Sequence, residues 1–302
     1  MLFDTFPDIP NQFITQINGF SITIKREDLI HPEVSGNKFR KLKYNLREAL
    51  KQKVTAIVTF GGAYSNHLAA TAAAGSEINI ATHGFVRGEE LASKKRNPTL
   101  KFCEEQGMQL HFMRRSDYLL KEKASNFISF LKTNPKAFVI PEGGTNLLAV
   151  KGCEEIIKLK DKRFTTICCP VGTGGTFAGL INSDPEKELL GFVVVNDTSV
   201  EITVKNLTNS NSNSEFLYDH DFGGYGNFPP ELISFINEFY KKHQILLDPL
   251  YTGKMVFGIF TLIKNKQWRW GNNILIIHTG GIQGIQGANQ LLAFQGKELI
   301  QC

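Results

Sequence analysis

Cysteines are few and irregularly placed. Cys103, Cys153, Cys168, Cys169 and Cys302 are an odd number without Cys-x-x-Cys spacing, so neither a disulfide framework nor a zinc site is indicated. Reduced thiols in a cytoplasm are the expected state. Residues 1–20 carry Asp4 and Asp8 where a secretory signal would have a basic segment followed by an apolar run, and no membrane span is visible. An excess of one charge is missing as well: 34 basic and 29 acidic side chains leave +5, with lysine and arginine interleaved among glutamates. Nucleic-acid binding gets little support from such a pattern. No repeat recurs at a fixed period, which argues against a solenoid. What remains is a chain of 302 residues, 42% apolar, long enough for one large domain or two smaller ones.

Apolar runs rich in β-branched or aromatic residues fall at 56–60, 78–86, 109–113, 137–140, 165–169, 190–195 and 274–277, with helical patterns between them. That alternation predicts parallel α/β structure. Leu42, Leu46 and Leu50 give one helix an apolar stripe, with Lys41, Lys43, Arg47 and Glu48 elsewhere on it. Residues 206–215, rich in asparagine and serine, read as a polar loop whose side chains compete for the backbone. Two α/β units with a cleft between them fit the order of elements.

Several segments carry chemistry. In Ser35-Gly36-Asn37-Lys38-Phe39-Arg40-Lys41, Lys38 and Lys41 stand one turn apart at a helix start, where the backbone dipole also favours anions. Pro170-Val171-Gly172-Thr173-Gly174-Gly175-Thr176-Phe177-Ala178-Gly179 follows a strand and leads into a helix, which is the arrangement of a phosphate cradle. A dinucleotide site is the rival, with Asp197 placed for a ribose contact, but Phe177 stands where the third glycine of that fingerprint belongs. The Walker Gly-Lys-Ser/Thr is lacking too. Gly61-Gly62-Ala63-Tyr64-Ser65-Asn66-His67 is another strand-to-helix turn, and Ala63 and His67 occupy the glycine positions of a hydrolase elbow. Ser65 there is either a helix cap or a holder of a substrate carboxylate, and Asn66 is suited to a phenolic oxygen. Asp248-Pro249-Leu250-Tyr251-Thr252-Gly253-Lys254 precedes an apolar helix, and His278-Thr279-Gly280-Gly281 ends the last strand at the edge where α/β sheets place ligands. His278 reads as structural. A lysine partly desolvated beside other cations is what imine chemistry needs, so Lys38 together with these segments points to pyridoxal phosphate.

These strings, in this order and over essentially the whole chain, resemble the 1-aminocyclopropane-1-carboxylate deaminase and D-cysteine desulfhydrase family. The resemblance implies a tryptophan synthase β-like fold: two open twisted α/β domains, with pyridoxal phosphate in the cleft between them. Residues 1–41 and 147–302 would form the larger, cofactor-binding domain, and residues 42–146 a smaller one closing over a small amino acid substrate. It also implies a homodimer. By position, Lys38 resembles the Schiff-base lysine; Lys41 and Gly172, Thr173, Gly174, Gly175 and Thr176 resemble the phosphate contacts; Asn66 matches the partner of the ring oxygen. Ser65 and Tyr251 resemble the catalytic serine and tyrosine, with Asn66, His67 and Tyr225 also toward substrate. Deaminases of the cyclopropane amino acid carry glutamate and leucine where this chain has Thr252 and Thr279, whereas desulfhydrase-like members have threonines. A hydroxyl beside the pyridine nitrogen stabilises its protonated form less than a carboxylate does, which favours elimination of a good leaving group over ring opening. The expected reaction is therefore D-cysteine desulfhydrase-like elimination. The alternatives are deamination of the cyclopropane amino acid and a non-catalytic cofactor-binding protein, the latter disfavoured because simple binding needs neither Ser65 nor Tyr251.

Overall fold

The computed structural model describes residues 3, 7–195, 197–209, 212–224 and 226–302. The chain opens with strands β1 (Asn11–Ile17) and β2 (Phe20–Lys25), an antiparallel pair. Asn18 and Gly19 join them with φ of 51° and 85°, the left-handed pair a two-residue hairpin of right-handed twist requires. Helix α1 (Asn37–Lys51) follows, then β3 (Ala56–Gly61), α2 (Asn66–Glu77), β4 (Ala81–Arg87), α3 (Pro98–Glu105), β5 (Gln109–Met113), α4 (Arg115–Leu120), α5 (Ser125–Thr133) and β6 (Ala137–Ile140). The rest of the chain forms α6 (Leu147–Cys153), β7 (Thr166–Val171), α7 (Gly175–Ser183), β8 (Glu188–Val193), α8 (Val200–Leu207), β9 (Ser214–Leu217), α9 (Pro230–His243), α10 (Thr252–Lys264), β10 (Asn273–Ile277) and α11 (Gly284–Phe294).

Two sheets result. β3 to β6 make a parallel four-stranded sheet in the order β5-β4-β3-β6, and the others a six-stranded sheet in the order β1-β2-β10-β7-β8-β9. Every residue of β3 and of β7 is buried, as expected of central parallel strands covered by helices on both faces. Sheet membership thus separates residues 56–140 from the remainder, whereas the expected boundary at 41/42 falls inside α1. Tertiary pairing overrides local preference at β9, since the segment read as polar loop supplies Ser214 as the partner of Leu189 at a sheet edge.

Helix α1 is positioned by close backbone contact. A β-carbon at Gly152 of α6 would lie 1.9 Å from the Arg40 carbonyl oxygen, and one at Gly179 of α7 would lie 2.8 Å from that of Val150. The three helices therefore stack backbone to backbone, and α1 is held beside the start of α7. Leu42 and Leu46 are fully buried on its apolar stripe, with Leu50 half-buried. Lys41 and Lys43, expected away from that stripe, are buried as well, and Lys43 pairs with Glu155 at 2.6 Å. Arg40 makes a two-pronged contact with Glu27 at 2.9 and 3.1 Å, so the buried charge is matched in geometry as well as sign. Among the described residues no helix is long and apolar enough to cross a membrane, and no cluster of three or more histidine, cysteine or acidic side chains could hold a metal.

Candidate active site

Strand ends converge on one cavity of about 780 Å³. Its wall takes Ser65 and Asn66 from the turn after β3, Arg87 from the end of β4, Gly172, Thr173, Gly174 and Thr176 from the turn after β7, and Thr279 from the turn after β10. Lys38, Lys41 and His67 complete it, with Tyr251. Strand ends are where parallel sheets leave backbone groups and side chains free to meet a ligand. Gly36 ties two of these segments together: with φ of 62° it starts α1, and Asn37 N–H donates to the Thr279 carbonyl at 3.1 Å.

The lysines are electrostatically coupled. Burial disfavours the Lys38 ammonium and the cation of Lys41 repels it, which brings its pKa down to about 7, against a smaller opposing pull from Asp248. Burial brings Lys41 down to about 8. Lys41 Nζ donates to the Gly143 carbonyl at 2.9 Å and to Thr145 Oγ1 at 3.0 Å, and it reaches Thr173 Oγ1 at 3.4 Å. Residues 143–145 are thus part of the site, although no motif in the sequence singled them out.

The turn after β7 has the form of a phosphate cradle. Gly174 adopts the left-handed conformation at φ 83° just before α7, whose first amides have no partner within the helix, and both Gly174 and Thr176 line the cavity. A β-carbon at Gly175 would sit 2.9 Å from Thr145 Oγ1 and 3.2 Å from Lys41 Nζ, a space only glycine leaves clear. Asn37 Nδ2 donates to Thr176 Oγ1 at 2.9 Å and fixes that hydroxyl. Helix amides, two hydroxyls and a buried cation form a donor set suited to a phosphate monoester. At Gly172 a β-carbon would stand 3.0 Å from the Tyr251 ring, so its absence lets the tyrosine lie against the loop.

On the opposite wall Ser65 caps α2: its Oγ accepts the Leu68 N–H at 3.2 Å. This leaves the hydroxyl proton for a ligand, so the cap and ligand readings are compatible. Asn66 Oδ1 accepts from Gln283 Nε2 at 2.9 Å, a contact no sequence signal announced. His67 is buried, and its Nε2 meets Thr59 Oγ1 at 2.8 Å while that hydroxyl donates to the Ile140 carbonyl. The ring hydrogen therefore belongs on Nε2, and Nδ1 is left as a buried acceptor without a partner among the described residues. Burial, followed by the charges of Lys38 and Lys41, holds the His67 pKa well below its ordinary value. It is a neutral acceptor, unsuited to donate a proton from Nδ1.

Around α10 the arrangement differs from the expectation for Thr252. This residue is wholly buried and does not line the cavity, and its hydroxyl donates to Asp248 Oδ2 at 2.6 Å. Asp248 also accepts the amides of Leu250, Tyr251 and Thr252 at 2.9, 2.7 and 2.9 Å. The physical reason is satisfaction of a buried carboxylate, which takes the nearest hydroxyl as well as the free amides of the helix start. Burial raises the Asp248 pKa, against the lowering effect of these donors. Replacing Asp248 by alanine is expected to lower the unfolding free energy by about 3 kcal/mol, because buried donors lose their acceptor. Urea denaturation of the variant measures it. His278 donates from Nε2 to the Leu246 carbonyl at 2.7 Å and accepts the Gly280 N–H at 3.2 Å, so both ring nitrogens serve structure. Lys254 Nζ donates to the carbonyls of Asp221 and Gly224 at 2.7 and 2.6 Å and braces the loop before Tyr225. Tyr225, expected over the site, lies outside the described residues.

Residues 7–280 match the family described as pyridoxal-phosphate dependent enzyme. A Pyrococcus abyssi protein provisionally named 1-aminocyclopropane-1-carboxylate deaminase is 30% identical across 92% of this chain and 90% of its own length. The Arabidopsis thaliana protein named bifunctional D-cysteine desulfhydrase/1-aminocyclopropane-1-carboxylate deaminase, mitochondrial, is 30% identical across 89% of this chain and 74% of its own. A crystal structure of an ACC deaminase homologue superposes with a TM-score of 0.83 at 27% identity, covering 97% of both chains. The chain belongs to the pyridoxal phosphate-dependent enzymes, within the family of 1-aminocyclopropane-1-carboxylate deaminases and D-cysteine desulfhydrases, and is a lyase or deaminase acting on small amino acids.

Proposed function

We propose that this enzyme catalyses α,β-elimination on a small amino acid bearing a leaving group at Cβ, with D-cysteine as reference substrate and pyruvate, ammonia and sulfide as products. The observation that carries the reading is Thr279 on the cavity wall shared with Lys38, Ser65 and Tyr251, where the cyclopropane deaminases have leucine. Thr252 is turned to Asp248, which leaves Thr279 as the one of the two threonines that lines the cavity.

Bound at Lys38, pyridoxal phosphate supplies an electron sink that acidifies the Cα–H bond of an attached amino acid. Lys41 and the 172–176 turn would hold its phosphate, and Asn66 Nδ2 would donate to its ring oxygen. Ser65 Oγ–H and the first amides of α2 receive the substrate carboxylate. A pKa of about 7 leaves much of Lys38 as free amine near neutrality, able to take the Cα proton, with Tyr251 the second candidate for that role. The proton and hydrosulfide leave from adjacent carbons, and the released enamine takes up water to give pyruvate and ammonia. Residues 56–140, which carry the four-stranded sheet, would form the smaller unit closing over the substrate, since α1 is packed on α6 and α7 with the rest of the chain.

A substrate panel tests this. Pyruvate and sulfide should appear from D-cysteine, and pyruvate with chloride from 3-chloro-D-alanine, with little 2-oxobutanoate from the cyclopropane amino acid. L-cysteine establishes the stereochemical preference. Turnover of the cyclopropane amino acid alone overturns the proposal, and a bound cofactor with no turnover of any amino acid would favour a binding protein.

A further inference from the structure

We propose that Gln283 is a positioning residue for the cofactor: it fixes the orientation of the Asn66 amide so that Nδ2, a donor, is the atom presented to the cofactor's ring oxygen. The inference rests on the assignment of Asn66 to that oxygen. An asparagine amide has two orientations that exchange donor for acceptor, and only the donor stabilises a phenolate. Gln283 Nε2 donates to Asn66 Oδ1 at 2.9 Å and so occupies the acceptor end. Nδ2 makes no hydrogen bond among the described residues, and Asn66 lines the cavity.

The local backbone is shaped around this contact. Gly281, with φ of 88°, lets the chain turn beneath the amide, and a β-carbon there would stand 2.7 Å from Asn66 Nδ2. Gly284 begins α11 with its β-carbon position 3.6 Å from Asn66 Oδ1, so the helix start comes close to the acceptor end as well. Gln283 is thus delivered by the turn after β10 to a residue on the turn after β3, joining the two sheets across the cavity. Its own side chain is exposed, so its replacement need not disturb the core.

Gln283→Met removes the donor with little change of shape, and Gln283→Glu offers only acceptors and would turn the Asn66 amide round. Two readouts apply besides activity: the dissociation constant for pyridoxal phosphate and the pH midpoint of the bound cofactor's visible absorbance. Without a donor the ring oxygen becomes more basic, so the midpoint should rise by about half a pH unit and cofactor affinity fall about fivefold in Gln283→Met, with larger changes in Gln283→Glu. The added charge of the glutamate is screened by salt, whereas reversal of the amide is not, so its excess effect should persist at high ionic strength. In an Asn66→Ala background Gln283→Met should change neither readout further. The proposal is overturned if Gln283→Met matches the parent while Asn66→Ala shifts both readouts, or if the Gln283→Met effect persists without Asn66. Should Asn66→Ala itself change nothing, the assignment of Asn66 to the ring oxygen falls, and this proposal with it.

Discussion

Lys38→Ala is expected to lower turnover by about a thousandfold or more, and borohydride reduction of the loaded enzyme should no longer fix cofactor to the peptide that contains residue 38. In the parent protein the same treatment should label Lys38, and a label on any other lysine would sink the assignment. The expectation has a pH signature. Lys38 is brought down to about 7 from an ordinary 10.5 by burial and by Lys41, so cofactor capture should rise with pH and level off above neutrality. It also has a cost in stability. Between those two values the unfolded chain holds a proton that the folded chain lacks, so stability contributed through this residue rises with pH across that window. Below about 7 the full penalty of a buried ammonium is present. A cofactor-free Lys38→Met variant should therefore resist urea better than the cofactor-free parent at pH 6, with the difference shrinking towards pH 10. A parent as stable as the variant throughout would show that Lys38 is not desolvated. The residue that makes the chemistry possible is expected to strain the empty fold, a common exchange of stability for function.

Gly36→Ala is the second large effect. Its β-carbon would stand 2.0 Å from the Thr279 carbonyl oxygen, and its φ of 62° disfavours any side chain. Neither neighbour can yield easily, since one is the start of α1 and the other the end of the β10 turn, joined by the Asn37–Thr279 hydrogen bond. The expected loss is about 3 kcal/mol or more of unfolding free energy, with weaker pyridoxal phosphate binding because Lys38 lies two residues on. Urea denaturation of the cofactor-free protein and cofactor titration measure the two parts separately. Parent-like values in both would mean that the contact between α1 and the Thr279 turn does not govern the site.

Most strands were legible because their composition is unambiguous. The runs at 56–60, 109–113, 137–140 and 274–277 are short, apolar and β-branched or aromatic, and they coincide closely with β3, β5, β6 and β10. The hairpin of β1 and β2 has no buried apolar run in its first strand, although Asn18-Gly19 is a turn signal in its own right. β9 was hidden for a different reason. Ser214 and Glu215, at its start, carry little strand preference and pair because the edge of β8 offers partners. Among the candidate site residues, Lys38, Lys41, Ser65, Asn66, Tyr251 and Thr279 each stand in a compact string at a strand or helix end, and all line one cavity. Thr252 stands in such a string too, yet its hydroxyl faces Asp248.

By itself the sequence determined the α/β alternation, the kinds of residue gathered at strand ends and the absence of a disulfide or zinc pattern, because these depend on local composition and spacing. Orientation and environment were decided only by the tertiary structure. Which end of the Asn66 amide is taken by Gln283, where the Thr252 hydroxyl points and how far Lys38 is desolvated beside Lys41 all depend on groups far apart in the chain. Hydrogen-bond satisfaction and desolvation act through space, and close packing of α1, α6 and α7 sets which groups they act upon.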